Sequence, residues 1–231
     1  RHGLELDDAR ALAERPDLVA EAGCELVMSH LACADEPGHP LNGLQLDRFR
    51  AIRKLFPALA ASLANSSGIH LGEAYHFDLV RPGIALYGGA IRAGEPSPMR
   101  PVATLEATIL QVRDVRAGES VGYGARQSMT RASRLAVLSV GYADGFHRRA
   151  SGADERPGGR GFLRGHFVPI VGRISMDLSV VDVTDVPEAA RGDAVELIGA
   201  HVTLQEVAGA MGTIDYEVLT SLGRRYERIR R

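Results

Sequence analysis

The chain has 231 residues, 45% of them hydrophobic, and a formal net charge of −2. That is enough for one large domain or two modest ones; the near-neutral charge with no basic stripe argues against a nucleic-acid partner, and no apolar run reaches the ~18–20 residues of a membrane-spanning helix. The chain opens on Arg-His-Gly-Leu, without Met and in what reads as mid-fold, so the expectation is a fragment.

In chain order, Asp7 or Asp8 is expected to cap a short helix that Pro16 ends. "CELVMSHLA" (24–32) is a short apolar run, read as a buried parallel strand. Cys24 and Cys33, the only two cysteines, flank it and suit reduced core thiols of a cytosolic protein; nothing nearby completes a metal site. His30 closes the strand, where it is either a satisfied core residue or a functional one. "NGLQLDRFRAIRKLFP" places Leu46, Phe49, Ile52 and Phe56 on one face of an amphipathic helix stopped by Pro57. On that helix lies Lys54, the one lysine among 27 basic residues, in a position expected to face solvent.

"LANSSGIH" (63–70) is a strand end whose hydroxyls and amides suit a phosphate, or an ordinary cap and turn. In "FDLVRPGIALYGG" (77–89) Arg81 stands near the end of an apolar run, where it needs an acceptor. A phosphate or ring nitrogen would serve, and so would a structural carboxylate such as Asp78. If that strand stops at Pro82, the Gly83 and Ile84 amides are free to meet an anion. Strand and helix signals alternate here as in a parallel α/β sheet.

After "GGAIRAGEPSPMRP" (88–101) the pattern changes. Leu105, Ala107 and Ile109 alternate with polar residues, and short runs at 134–141, 167–172, 178–183 and 193–198 predict a mainly antiparallel β domain. "RRASGADERPGGRG" (148–161) reads as a mobile polar loop. One late helix is expected, with Thr203-Leu-Gln-Glu206 as its capping box and Gly212 as its stop. Between these, the strand ending at Val140 runs into Gly141-Tyr142-Ala143-Asp144-Gly145, which delivers one tyrosine into a glycine-flanked turn. By residue type alone, Met176 in "VGRISMDLS" is core filler and Tyr216 in "DYEV" an amphipathic aromatic.

Taken in order, "SHLACADE", "LANSSGIH…YHFDLVRPGIALYG", "VGYGA", "VGYADG", "VGRISMD" and "DYEV" resemble the alanine racemases that use pyridoxal phosphate (PLP). The resemblance runs over essentially the whole chain. It implies an α/β plus all-β architecture: residues 1–92 as the C-terminal half of a PLP-binding TIM-type (β/α)8 barrel, and 93–231 as a mainly antiparallel β domain. It also implies a cytoplasmic homodimer with shared active sites that acts on alanine in D-alanine biosynthesis for peptidoglycan. Ser66, the Gly83 and Ile84 amides and Tyr216 would hold the PLP phosphate, with Asn65 supporting that loop. Arg81 would face the pyridine nitrogen, and His30 would bridge Arg81 and the catalytic tyrosine. Tyr142 would be that tyrosine. The Met176 amide, from the partner subunit, and Arg1 of "RHGL" would touch the substrate carboxylate.

Racemisation removes the α-proton from one face and returns one on the other, so it needs two bases. A tyrosine is a poor base at a reference pKa of ~10, and cationic neighbours must favour its phenolate. The family's second base is a lysine that also forms the Schiff base with PLP, in an "A-x-x-K-A-N-A-Y-G"-like motif that this sequence lacks. The expectation is therefore that roughly the first four βα units, lysine included, are missing and that the chain is inactive alone. Two alternatives stand: a noncatalytic PLP- or phosphate-binding relative that has lost its lysine, and another PLP barrel enzyme such as an amino-acid decarboxylase. An upstream lysine motif separates the first alternative from a racemase; Arg81 and the GYADG tyrosine argue against the second.

Overall fold

The computed structural model describes residues 3–230. The chain forms two compact units, one running to Leu86 and including Ala90–Ser97, the other holding Tyr87–Gly89 and what is described from Pro98 onward.

The first unit contains α1 (Leu6–Ala13), α2 (Pro16–Glu21), β1 (Leu26–Met28), α3 (Pro40–Leu55), β2 (Ala60–Ser62) and α4 (Ser66–Ile69). Asp7 and Asp8 do not cap α1: Glu5 holds the cap position, and the aspartates lie in the first turn, where they complement the helix dipole. Pro16 does not end that helix so much as open the next, since its missing N–H costs nothing at a helix start. In α3 Leu46 and Phe49 are buried, Lys54 is exposed, and the chain turns at Phe56. Leu46 and Phe49 join Leu31, Ala34, Ala61 and Leu63 in one core.

β1 and β2 pair in parallel, with Val27 opposite Ala61. The expected burial of β1 is not met: it spans three residues and Met28 is 60% exposed. A parallel strand is hidden only where both faces are covered, and among the described residues β1 pairs with β2 alone. Nor are the cysteines core thiols; Cys24 is exposed in the turn before β1 and Cys33 half-buried beyond it. "FDLV" forms no strand either. Asp78 and Leu79 both donate to the Ala61 carbonyl, Arg81 makes a single bridge with Asn65, and Pro82 then removes the donor that would extend the pairing.

The second unit contains β3 (Leu105–Val115), β4 (Ser120–Val121), β5 (Gln127–Ser128), β6 (Ser133–Leu138), β7 (Arg160–Leu163), β8 (His166–Pro169), β9 (Ser179–Asp182) and β10 (Ala194–Ile198), then α5 (Leu204–Met211) and α6 (Asp215–Ser221). Six strands form one antiparallel sheet in the order β8-β7-β10-β3-β6-β9, while β4 and β5 make a separate ribbon. Beyond β8, Ile170 bridges Val181 and the Val171 N–H donates to the Val180 carbonyl at 2.9 Å, so the two edges of the sheet meet and it curls towards closure. Leu105, Ala107 and Ile109 are buried as their alternation predicts.

The capping box of α5 forms as read, with Thr203 and Glu206 bonded reciprocally and Gly212 left-handed at φ 65°. A second late helix, α6, was not anticipated; at seven residues it is too short to show a period. The stretch 148–161 is not a mobile loop. Gly152 donates to Gly172, Gly159 to Ala150, and Arg156 to the Ser151 carbonyl at 2.8 Å, and β7 begins at Arg160. Its glycines serve close packing: a Cβ on Gly158 would stand 2.7 Å from the Ile170 carbonyl oxygen. Among the described residues, no helix is long and apolar enough to cross a membrane.

Candidate functional site

The residues singled out from sequence fall into two sets, one in each unit, except Arg1, which lies outside the described residues.

In the first unit they gather where β2 ends. Asn65 caps α4, its Oδ1 accepting the Gly68 N–H at 2.8 Å, and its Nδ2 lies 3.3 Å from His30 Nε2. Ser66 is fully buried; its Oγ accepts the Gly83 N–H at 2.8 Å and the Ala85 N–H at 3.3 Å. This stitches loop 65–67 to the turn Ile84–Tyr87. The Gly83 amide, expected to be free, is thus taken up by Ser66, whereas the Ser66, Ser67 and Ile84 amides make no hydrogen bond among the described residues. The Ala85 amide, which sequence reasoning missed, joins Gly83 on Ser66 because Pro82 and Gly83 turn the chain into a helical twist there.

Arg81 is half-buried. Its Nη1 donates to Ser62 Oγ at 2.5 Å, and its Nη2 to the Ser29 carbonyl at 2.7 Å and the Leu63 carbonyl at 3.4 Å. All three acceptors are neutral, and among the described residues no carboxylate lies within ion-pair distance of it. Asp78, the structural partner weighed from sequence, accepts the Ala61 N–H at 2.8 Å and faces Arg53 at 3.6 Å instead. Burial pushes the Arg81 guanidinium below its ordinary value. A cation with no counter-charge beside several spare N–H groups suits an anion or an electron-rich ring atom. These residues therefore fit the phosphate and ring of PLP.

In the second unit Tyr142 opens the tight helical turn Tyr142–Asp144. Tyr142 is 42% exposed, although its backbone is fixed. The Tyr142 N–H donates to the Ser175 carbonyl at 3.0 Å and the Ala143 N–H to the Met176 carbonyl at 2.9 Å. Only glycine fits at 141, where any Cβ would overlap the Met176 carbonyl, and Gly145 is left-handed at φ 93°. Met176 is not core filler; its side chain is exposed and its amide makes no hydrogen bond among the described residues. Tyr216, the second residue of α6, is likewise exposed.

Two residues missed from sequence hold this set. Asp144 Oδ2 accepts the Gly141 N–H at 2.8 Å, closing the turn on itself. Arg225, beyond α6, reaches Asp144 Oδ1 at 3.2 Å and Asp177 Oδ1 at 2.7 Å. The Asp in "GYADG" was a visible signal; Arg225 was one arginine among many.

A family model for the alanine racemase N-terminal domain matches residues 1–91, and one for the C-terminal domain matches residues 102–230. The chain is 53% identical over 236 residues to an alanine racemase of Rhizobium meliloti, covering 99% of this chain and 62% of that protein. It is 45% identical to a catabolic alanine racemase of Rhizobium johnstonii, of which it covers 60%. Among solved structures, it superposes with a TM-score of 0.89 and 43% identity on the Bartonella henselae alanine racemase with covalently bound pyridoxal phosphate, covering 99% of this chain and 63% of that one. The chain thus spans about three-fifths of the length of these relatives.

Proposed function

Because this chain belongs to the alanine racemase family, we propose that it forms much of an enzyme that interconverts L- and D-alanine with PLP. In this reading residues 1–92 are part of a TIM-type barrel and 93–231 its β domain, and two copies pair so that Tyr142 and Met176 enter the partner's site. The reducing cytoplasm is the compartment that the two unpaired thiols suit.

The observation that carries the reading is the Tyr142 turn: an exposed phenol on a backbone held by hydrogen bonds at both Tyr142 and Ala143. A group that must take and return a proton on one face needs a fixed origin and an accessible tip. When bound, PLP draws electrons from the substrate Cα and so acidifies its proton. Ser66 and the Ile84 amide would hold the phosphate, with Tyr216; the Gly83 amide, which donates to Ser66 Oγ here, would join them by turning from the hydroxyl to the anion, and Asn65 would keep their loop in place. Arg81 would face the ring nitrogen and, since a guanidinium does not surrender its proton, would not protonate it. His30, beside Asn65, lies between Arg81 and the tyrosine in this reading. The Met176 amide donates to the substrate carboxylate, with Arg1 as its cationic partner. Tyr142 serves one face. Lys54, the sole lysine, is exposed on α3, and this reading assigns the second base to none of the described residues.

The test joins this chain to the part of the Rhizobium meliloti alanine racemase that it does not match, giving a completed enzyme. With PLP, that protein should convert L-alanine to D-alanine, and the 231-residue chain alone should not. A completed enzyme that binds PLP and forms no D-alanine would refute the activity, and D-alanine formation by the chain alone would refute the assignment of its bases.

A further inference from the structure

The turn that carries Tyr142 and the turn that carries Met176 each place a carboxylate beside the named residue: Asp144 two positions after the tyrosine, Asp177 one after the methionine. One guanidinium holds both. Arg225 Nε stands 3.2 Å from Asp144 Oδ1, and its Nη2 is 2.7 Å from Asp177 Oδ1. The Asp144 side chain is only 9% exposed, and its other oxygen accepts the Gly141 N–H at 2.8 Å. The chain around Arg225 is itself fastened to the same turn. The Gly223 N–H donates to the Asp144 carbonyl at 3.0 Å, and Ser221, the last residue of α6, pairs with His147 at 2.9 Å.

We propose that Arg225 is a positioning residue for the Tyr142 proton transfer, fixing the tyrosine's turn against the Met176 turn. The inference rests on the two-base reading above. Arg225 is half exposed, and ion pairs of exposed side chains contribute little to stability. Its two contacts use separate nitrogens of one planar fork, which a single ammonium cannot match. Loss of the fork frees Asp144 from its only cationic partner among the described residues and lets the tyrosine's origin drift. A displacement near 1 Å costs a reacting group on the order of 10²-fold.

The experiment measures exchange of the α-proton with solvent deuterium, for L-alanine and D-alanine separately, in the completed enzyme and its Arg225→Lys, Arg225→Ala and Tyr142→Phe variants, with folding followed by circular dichroism. Arg225→Lys should slow L-alanine exchange about 10-fold and Arg225→Ala about 10²-fold, while D-alanine exchange changes less than about two-fold. An equal fall for both enantiomers, no fall for either, or an Arg225→Lys protein that does not fold would make Arg225 structural or idle and overturn the proposal. If Tyr142→Phe itself fails to separate the enantiomers, the two-base reading fails and this inference with it. If Tyr142→Phe separates them and the Arg225 variants do not, only this inference fails.

Discussion

Arg81 is where residue chemistry and fold meet most directly. It spends three hydrogen bonds on neutral acceptors from three segments, namely Ser62, Ser29 and Leu63. A purely structural arginine at such a place would be expected to find a carboxylate, and the nearest sequence candidate, Asp78, is engaged elsewhere. In the completed enzyme, Arg81→Glu should lower the racemisation rate on the order of 10²-fold, the usual effect of losing a preorganised charged donor. It should also raise the share of pyruvate, because a protonatable ring nitrogen makes PLP a stronger electron sink and opens transamination. Product analysis by chromatography decides it; a slower enzyme with no added pyruvate would make Arg81 a brace for the strand ends and nothing more. The same residue shows what sequence could reach. That Arg81 needed an acceptor was legible from its apolar surroundings. Which acceptor it found was not, because Ser29 and Ser62 come to it through chain packing rather than through spacing.

Among the elements, α5 was the most legible, and for a local reason: the Thr203–Glu206 box and Gly212 satisfy the helix ends within a few residues of themselves. Burial pushes the Glu206 carboxyl up, but the Thr203 N–H and hydroxyl and Arg160 outweigh it and hold the group below the ordinary Glu value. A carboxyl so lowered contributes stability above its unfolded pKa of ~4.3 that is lost as pH falls through its folded value. Thr203→Ala should therefore cost about 1 kcal/mol at neutral pH, and the gap between mutant and parent should narrow as acid protonates Glu206. Urea unfolding of the completed enzyme at two pH values measures both; a gap that widens in acid would contradict the account. Where elements were misread, the cause was non-local. β1 looked buried because apolar runs in parallel strands usually are, yet covering its faces depends on neighbours that the run does not encode. The stretch 148–161 looked mobile because of its glycines, whereas Gly152 and Gly158 are there so that backbone can lie against backbone.

At the scale of the whole molecule, the closely spaced strands were plain in the sequence, and they form one antiparallel sheet in the second unit. The candidate residues were named from sequence, but their arrangement was not. The exposed Tyr142 and the glycines about it could be picked out, but the Asp144–Arg225–Asp177 bridge joins segments far apart in the chain. In the proposed function Tyr142 is the base for one face of alanine. The most direct measurement is α-proton exchange into deuterated water by the Tyr142→Phe completed enzyme, followed for each enantiomer by proton NMR. L-alanine exchange should fall on the order of 10²–10⁴-fold, the usual worth of a positioned acid–base group, while PLP stays bound and D-alanine exchange persists. Equal loss for both enantiomers with PLP still bound, or L-alanine exchange that survives the substitution, would contradict it.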